Sequence, residues 1–304
     1  MQLISIDSLN ERFAIPGHVR FTLGPGGLTT ATVENALCSA AVTLSGAHVI
    51  SYQGKGQPDL FWMSPNSAYR IGKALRGGIP LCWPWFGPHP LDSQAFPMHG
   101  FARTQVWSVS ATQALSDGST EVRLVIQDTP ETLAMWPHAF EVELVITCGA
   151  RLSVDLVVRN PGSQPFVYTG ALHHYFLVSD VRQVRVTGLE DTDYLDKVEN
   201  FARKHQEGAV IFTAQTDRIY LETERECVIE DPGLNRKIHI AKAGSHTTVV
   251  WNPAERAAQM PDIGSGNESS FVCVETANAS QDTVEVLPGR ACHLAAQMWT
   301  EQAF

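Results

Sequence analysis

An all-β fold, an antiparallel sandwich of two large sheets with few short helices, is predicted by three features of the 304-residue sequence. Apolar and polar residues alternate in successive runs, turn-forming clusters separate those runs, and no long stretch keeps a clean 3.6-residue period. Side chains that alternate at a period of two line opposite faces of a strand, so such runs are half-buried strands of a layered fold.

In chain order, the clearest strands are Val122-Arg123-Leu124-Val125-Ile126, Glu141-Val142-Glu143-Leu144-Val145-Ile146 and Leu152-Ser153-Val154-Asp155-Leu156-Val157-Val158. Turns are marked by Asp117-Gly118-Ser119, Thr147-Cys148-Gly149-Ala150 and Asn160-Pro161-Gly162-Ser163, whose glycines, prolines and short polar side chains suit reversals of direction. The 23 glycines and 17 prolines are dispersed rather than gathered into a linker, and no repeat is visible. One domain over residues 1–304 is therefore expected, a size that all-β sandwiches often reach as a single unit.

Composition narrows the functional classes. With 22 Lys+Arg against 32 Asp+Glu, the formal net charge is -10, which disfavours polyanions and anionic lipid as partners. The opening Met1-Gln2-Leu3-Ile4-Ser5-Ile6-Asp7 has no basic segment followed by an apolar run, and no stretch reaches the ~18 apolar residues of a membrane span. A cytoplasmic location is the expectation. The cysteines at 38, 82, 148, 227, 273 and 292 lie far apart, without the close pairs of zinc or redox sites, and are expected as reduced, mostly buried thiols.

Between Tyr69 and Arg103 the alternation gives way to a long segment dense in Gly, Pro, Trp and Phe. Loops of that length are commonly functional or disordered, and the aromatic content argues against disorder. It carries Arg76 and Arg103 beside glycines or small residues. Their planar forks suit bidentate contact with phosphate, although structural ion pairs are the other use of such arginines. Further on, Ala171-Leu172-His173-His174-Tyr175-Phe176 reads as a strand, in which the two histidines point to opposite faces and cannot readily share a metal. At most one faces a site, where an imidazole can transfer protons or serve as a hydrogen-bonded structural group. In Phe271-Val272-Cys273-Val274-Glu275 a carboxylate ends an apolar run; burial penalises its charge, so Glu275 is either used or salt-bridged. Gly-x-Ser-x-Gly, His-Glu-x-x-His, Walker and dinucleotide-binding patterns are all missing, which removes support for the chemistries they carry.

Five ordered strings resemble the glucose-6-phosphate 1-epimerase (hexose-6-phosphate mutarotase) branch of the aldose 1-epimerases: Leu75-Arg76-Gly77-Gly78-Ile79-Pro80, His99-Gly100-Phe101-Ala102-Arg103, Leu172-His173-His174-Tyr175-Phe176, Thr216-Asp217-Arg218-Ile219-Tyr220 and Val274-Glu275. The similarity extends from Gly46-Ala47-His48 to Trp251-Asn252-Pro253 and Glu275. It implies the twisted galactose mutarotase-like β-sandwich, with His173 as catalytic histidine and Glu275 as catalytic carboxylate. By the same resemblance Arg76, Met98, His99, Arg103 and Asp217 fall at substrate-binding positions, Asp217 at a sugar hydroxyl. Two positions depart from the pattern. Met98 stands where an amide side chain is usual, and His174 where a small hydroxyl residue is common.

The implied reaction opens a hemiacetal with one base and one acid. Glu275, with an ordinary pKa near ~4.3, is expected to accept the anomeric proton, and His173, near ~6.5, to supply the ring oxygen. No metal or organic cofactor is called for, and the expected partner of a monomeric enzyme is a small-molecule sugar phosphate. Two other readings remain at this point. One is a mutarotase for unphosphorylated aldoses, against which the arginine motifs argue; the other is a non-catalytic carbohydrate-binding sandwich. A retaining glycosidase needs two carboxylates about 5 to 5.5 Å apart, and only Glu275 sits in a convincing context.

Overall fold

In the computed structural model, residues 4–302 are described; Met1–Leu3, part of the opening segment considered above, lie outside them. The three runs of alternation are three adjacent strands, Thr120–Gln127, Glu141–Cys148 and Leu152–Arg159; buried side chains alternate with half-buried ones along the first two and as far as Leu156 in the third, where Val157 and Val158 are both buried. Their registers, such as Val122 opposite Ile146 and Ile146 opposite Val154, put the apolar members on one face. They belong to a nine-stranded antiparallel sheet that also contains Arg236–Ala243 and Ala291–Gln302.

An eight-stranded sheet packs against that face, and its central strands carry the site: Thr216–Tyr220, Thr247–Asn252, Phe271–Asn278 and Gly170–Leu172, in that spatial order. The inter-sheet core joins Leu124, Leu144, Val154, Ile238 and Met298 to Val250, Val272, Val274 and Phe176. A four-stranded sheet, Val19–Leu23, Thr29–Glu34, Cys38–Thr43 and His48–Gly54, extends the assembly. The α-helices are short, Ile6–Phe13 and Pro130–Met135. Each is started by a hydroxyl side chain, Ser5 or Thr129, that accepts a hydrogen bond from the backbone of its first turn, which satisfies an N–H that the helix itself leaves free. No helix among the described residues is long and apolar enough to cross a membrane. Five of the six cysteines are buried and Cys292 is half-buried.

Phe271–Asn278 is buried on both faces. Val272 and Val274 point into the inter-sheet core, whereas Phe271, Cys273 and Ala277 face the other way, into smaller apolar clusters with Trp62, Tyr175, Val249 and Cys82. Glu275 shares that second face, since residues two apart on a strand point alike.

Candidate active site

The expected strand through the two histidines is interrupted. Gly170–Leu172 and Tyr175–Leu177 are separate strands, and residues 173 and 174 leave the ladder between them. The His173 N–H donates instead to the Pro80 carbonyl (3.1 Å) and that of Tyr175 to Gly78 (2.9 Å), so the arginine loop takes the place of a neighbouring strand. Register against Phe271–Asn278 is nevertheless the same on both sides of the break, with Leu172 opposite Thr276 and Tyr175 opposite Cys273. His173 therefore stands across from Glu275, on the same face. Its Nε2 lies 3.3 Å from Glu275 Oε1.

The opposite-face expectation for the histidine pair holds. His174 is fully buried, packs on Phe176, and its Nδ1 donates to the Val274 carbonyl at 3.0 Å. The departure at position 174 thus bears on the core and not on the pocket. Glu275 ends the apolar run but not the strand, which continues through Thr276, Ala277 and Asn278.

His173 and Glu275 form the floor of a cavity of about 470 Å³ also lined by Arg76, Met98, His99, Arg103 and Asp217. All seven candidate residues are thus brought together from five separated segments. Asp217 arrives by register, opposite Trp251, which in turn lies opposite Cys273. His99 is held in a left-handed conformation, φ 63°, by its own N–H donating to Gly87 O (2.6 Å) and by Gly87 N–H donating to His99 Nδ1 (3.2 Å). An Nδ1 that accepts leaves the proton on Nε2, so His99 offers a donor.

The two arginines differ. Arg76 is oriented from behind: its Nε and Nη2 both reach Asp262 Oδ2 (2.8 and 2.7 Å), and Nη1 donates to the Tyr175 hydroxyl (2.7 Å). Burial opposes its charge, but Tyr175 and Asp262 together hold its pKa above the ordinary guanidinium value. Arg103 donates through Nη2 to the Met98 carbonyl (2.7 Å), while its Nε is buried without a partner. Met98 contributes that carbonyl and a half-exposed side chain at the rim, with no polar side-chain group.

Several lining residues carry no motif in the sequence. Lys197, on the 3-10 turn Lys197–Glu199, lies 2.9 Å from Asp217 Oδ1. Arg256 lines the cavity from the Ala254–Gln259 turn and makes no ion pair among the described residues. Of the aromatic side chains between Tyr69 and Arg103, only Phe86 lines the cavity; Trp83, Trp85 and Phe101 fill the core. Gln215, Val249, Trp251, Pro253 and Met260 complete its wall.

The electrostatics correct the expectation of ordinary pKa values. Burial pushes Glu275 well above the usual carboxylate range; Lys197 pulls it back and Asp217 adds to the rise. Burial also drives His173 well below the ordinary imidazole value, aided by His99, Arg76 and Arg103. His99 is pushed down to about 3 by burial and then by Arg103, Lys197 and Arg76, so it stays neutral. Asp217 is raised by burial against the opposing pull of Lys197. Both shifts favour the uncharged forms, an imidazole and a carboxyl that stand 3.3 Å apart. His173 Nδ1 and Glu275 Oε2 are buried and have no hydrogen-bond partner. Donor atoms of His173, Cys273 and Glu275 lie within 4.8 Å of one another, but Arg76, Arg103 and Lys197 make the surroundings unfavourable for a dication.

A family description, aldose 1-epimerase, matches residues 29–298. The chain belongs to the aldose 1-epimerase family. It is an isomerase by that membership, and the all-β sandwich is the fold that its structural relatives share. The chain is 36% identical over 266 residues to the Escherichia coli protein named "Putative glucose-6-phosphate 1-epimerase", covering 86% of this chain and 87% of the relative. A protein of the same name from Cenchrus ciliaris is 34% identical over 276 residues, 87% and 82% of the two chains. The crystal structure of a Salmonella typhimurium protein described as a "putative mutarotase" superimposes with a TM-score of 0.88 at 30% identity, covering 98% of this epimerase and 99% of the other chain.

Proposed function

We propose that this epimerase interconverts the α and β anomers of glucose 6-phosphate and related hexose 6-phosphates, with Glu275 and His173 as the acid-base pair. One observation carries the reading. A buried carboxyl-imidazole dyad faces a cavity with four cationic side chains, Arg76, Arg103, Lys197 and Arg256, in a chain of net charge -10. The names borne by the Escherichia coli and Cenchrus ciliaris relatives point the same way.

The anomeric hydroxyl and the ring oxygen are bonded to one carbon, so a base and an acid 3.3 Å apart can engage both at once. Before reaction the shared proton passes from Glu275 to His173, an ionisation that Lys197 favours on the carboxylate side. Glu275 then takes the proton of the anomeric hydroxyl, the C1–O5 bond breaks to leave an aldehyde, and His173 protonates O5. The dyad returns to its neutral form in that step. Rotation about C1–C2 and reversal of the transfers close the ring on the other face. Each positioned proton-transfer group is typically worth about 10² to 10⁴ in rate. The phosphate is bound by the arginines that line the cavity, and the His99 Nε2–H is available to a sugar hydroxyl.

Exchange spectroscopy between the anomers of glucose 6-phosphate, with free glucose and galactose as controls, tests the reading. Acceleration much larger for the phosphosugar than for the free sugars is the expected result. Equal acceleration of the free sugars would assign the chain to the unphosphorylated aldoses, and none with any sugar would leave a carbohydrate-binding module.

A further inference from the structure

Gly46-Ala47-His48 belongs to the stretch that resembles the family, yet none of the three lines the cavity. The segment is the turn between Cys38–Thr43 and His48–Gly54, with Gly46 and Ala47 both left-handed at φ 80° and 46°. Its two ends touch the two arginine-bearing segments.

On one side the Gly46 N–H donates to the Gln105 carbonyl at 2.7 Å, and a Cβ at position 46 would stand 2.6 Å from the Arg103 carbonyl oxygen. Only glycine lets the turn lie that close to the Arg103 backbone. On the other side His48, wholly buried, donates from Nε2 to the carbonyl of Gly77 at 2.7 Å. Gly77 and Gly78 follow Arg76 with φ of 106° and 62°, and a Cβ on Gly78 would be 2.9 Å from His48 Nε2 and 2.2 Å from the Val49 carbonyl. Glycines allow this bend, but freedom of that kind has no preferred state of its own; the imidazole bond selects one. Burial lowers His48 to about 4, so it is neutral at physiological pH and one nitrogen can donate while the other stays unprotonated.

We propose that His48 is a positioning residue for phosphate recognition: by holding the Gly77 carbonyl it seats the Arg76 loop on the same turn that supports Arg103, and so sets the spacing of the two guanidinium groups. This rests on the hexose 6-phosphate reading above. A shift near 1 Å in a binding group can cost up to about a hundredfold, and here the loss falls on phosphate binding more than on proton transfer.

The discriminating pair is His48→Gln, whose terminal amide reaches the place of Nε2, and His48→Asn, whose amide stops short of it. KM and kcat are measured for glucose 6-phosphate and for free glucose, with a melting curve for each variant. We expect His48→Asn to raise KM for the phosphosugar roughly tenfold or more, with kcat and the free-sugar rate within about threefold of the parent. His48→Gln should restore most of the loss. A folded His48→Asn with parental KM overturns the proposal, as does equal damage to both substrates in both variants. If Arg103→Ala abolishes a phosphosugar preference that His48→Asn leaves intact, only the positioning role fails. A parent with no such preference removes the hexose 6-phosphate reading and this role together.

Discussion

Replacing Glu275 by Gln tests the chemistry and the electrostatics of the dyad in one variant. The amide keeps the shape of the side chain and can still hydrogen-bond to His173 across the 3.3 Å gap, but it cannot take a proton. Loss of one positioned base predicts a fall in anomer exchange of about 10² to 10⁴. The same change acts on stability with a definite sign. The folded-state pKa of Glu275 is raised by burial, so folding favours its protonated form. The parent accordingly loses stability as pH climbs from the unfolded carboxyl value, near ~4.3, towards the raised folded one, at about 1.4 kcal/mol per pH unit. An amide at this position does not titrate and has no such dependence. Exchange spectroscopy gives the rate, and thermal unfolding at pH 5 and pH 8 gives the stability. The advantage of the Glu275→Gln variant over the parent should be larger at pH 8 than at pH 5. Parental exchange in the variant, or a stability difference that does not change with pH, refutes the reasoning.

Three further outcomes follow from the same geometry. Arg103→Ala should lower kcat/KM for glucose 6-phosphate about tenfold to a hundredfold, the range for losing one charge-assisted hydrogen bond, while free-glucose exchange changes little; equal loss on both substrates would speak against a phosphate role. Lys197→Met removes the cation that pulls Glu275 down, so the alkaline limb of the kcat/KM profile, where the dyad loses its shared proton, should move to higher pH, and an unmoved limb would detach Lys197 from the dyad. Gly100→Ala places a methyl 2.0 Å from the Trp83 carbonyl at φ 72°, a left-handed clash with backbone that should cost at least ~2 kcal/mol in urea unfolding.

How far the site was legible in the sequence differs residue by residue. Arg76, His99 and Arg103 sit in strings whose glycines carry a physical signature: Gly77, Gly78 and Gly100 take conformations and approaches that a Cβ would block, and such strings are recognisable in one dimension. Lys197 and Arg256 have no comparable mark, since a lysine or arginine on a short turn looks the same whether it faces a cavity or solvent. Asp262, which orients Arg76, lies 186 residues away from it in the chain. Nothing local to either residue records that bond.

The all-β class followed from the residues alone, because period-two alternation admits only strands with one face buried, and so did the parting of His173 and His174 to opposite faces. That second result survived the break in the ladder, since the alternation of side chains persists across residues 172–176. That His173 stands across from Glu275 was settled by tertiary packing. The pairing joins strands about a hundred residues apart, and its register is set by contacts on both sheet faces, which a single strand's pattern does not contain. The directions of the pKa shifts were decided there as well. Ordinary values describe an isolated carboxyl and imidazole, whereas the burial that drives Glu275 up and His173 down exists only once the sheets and the arginine loop have closed around them.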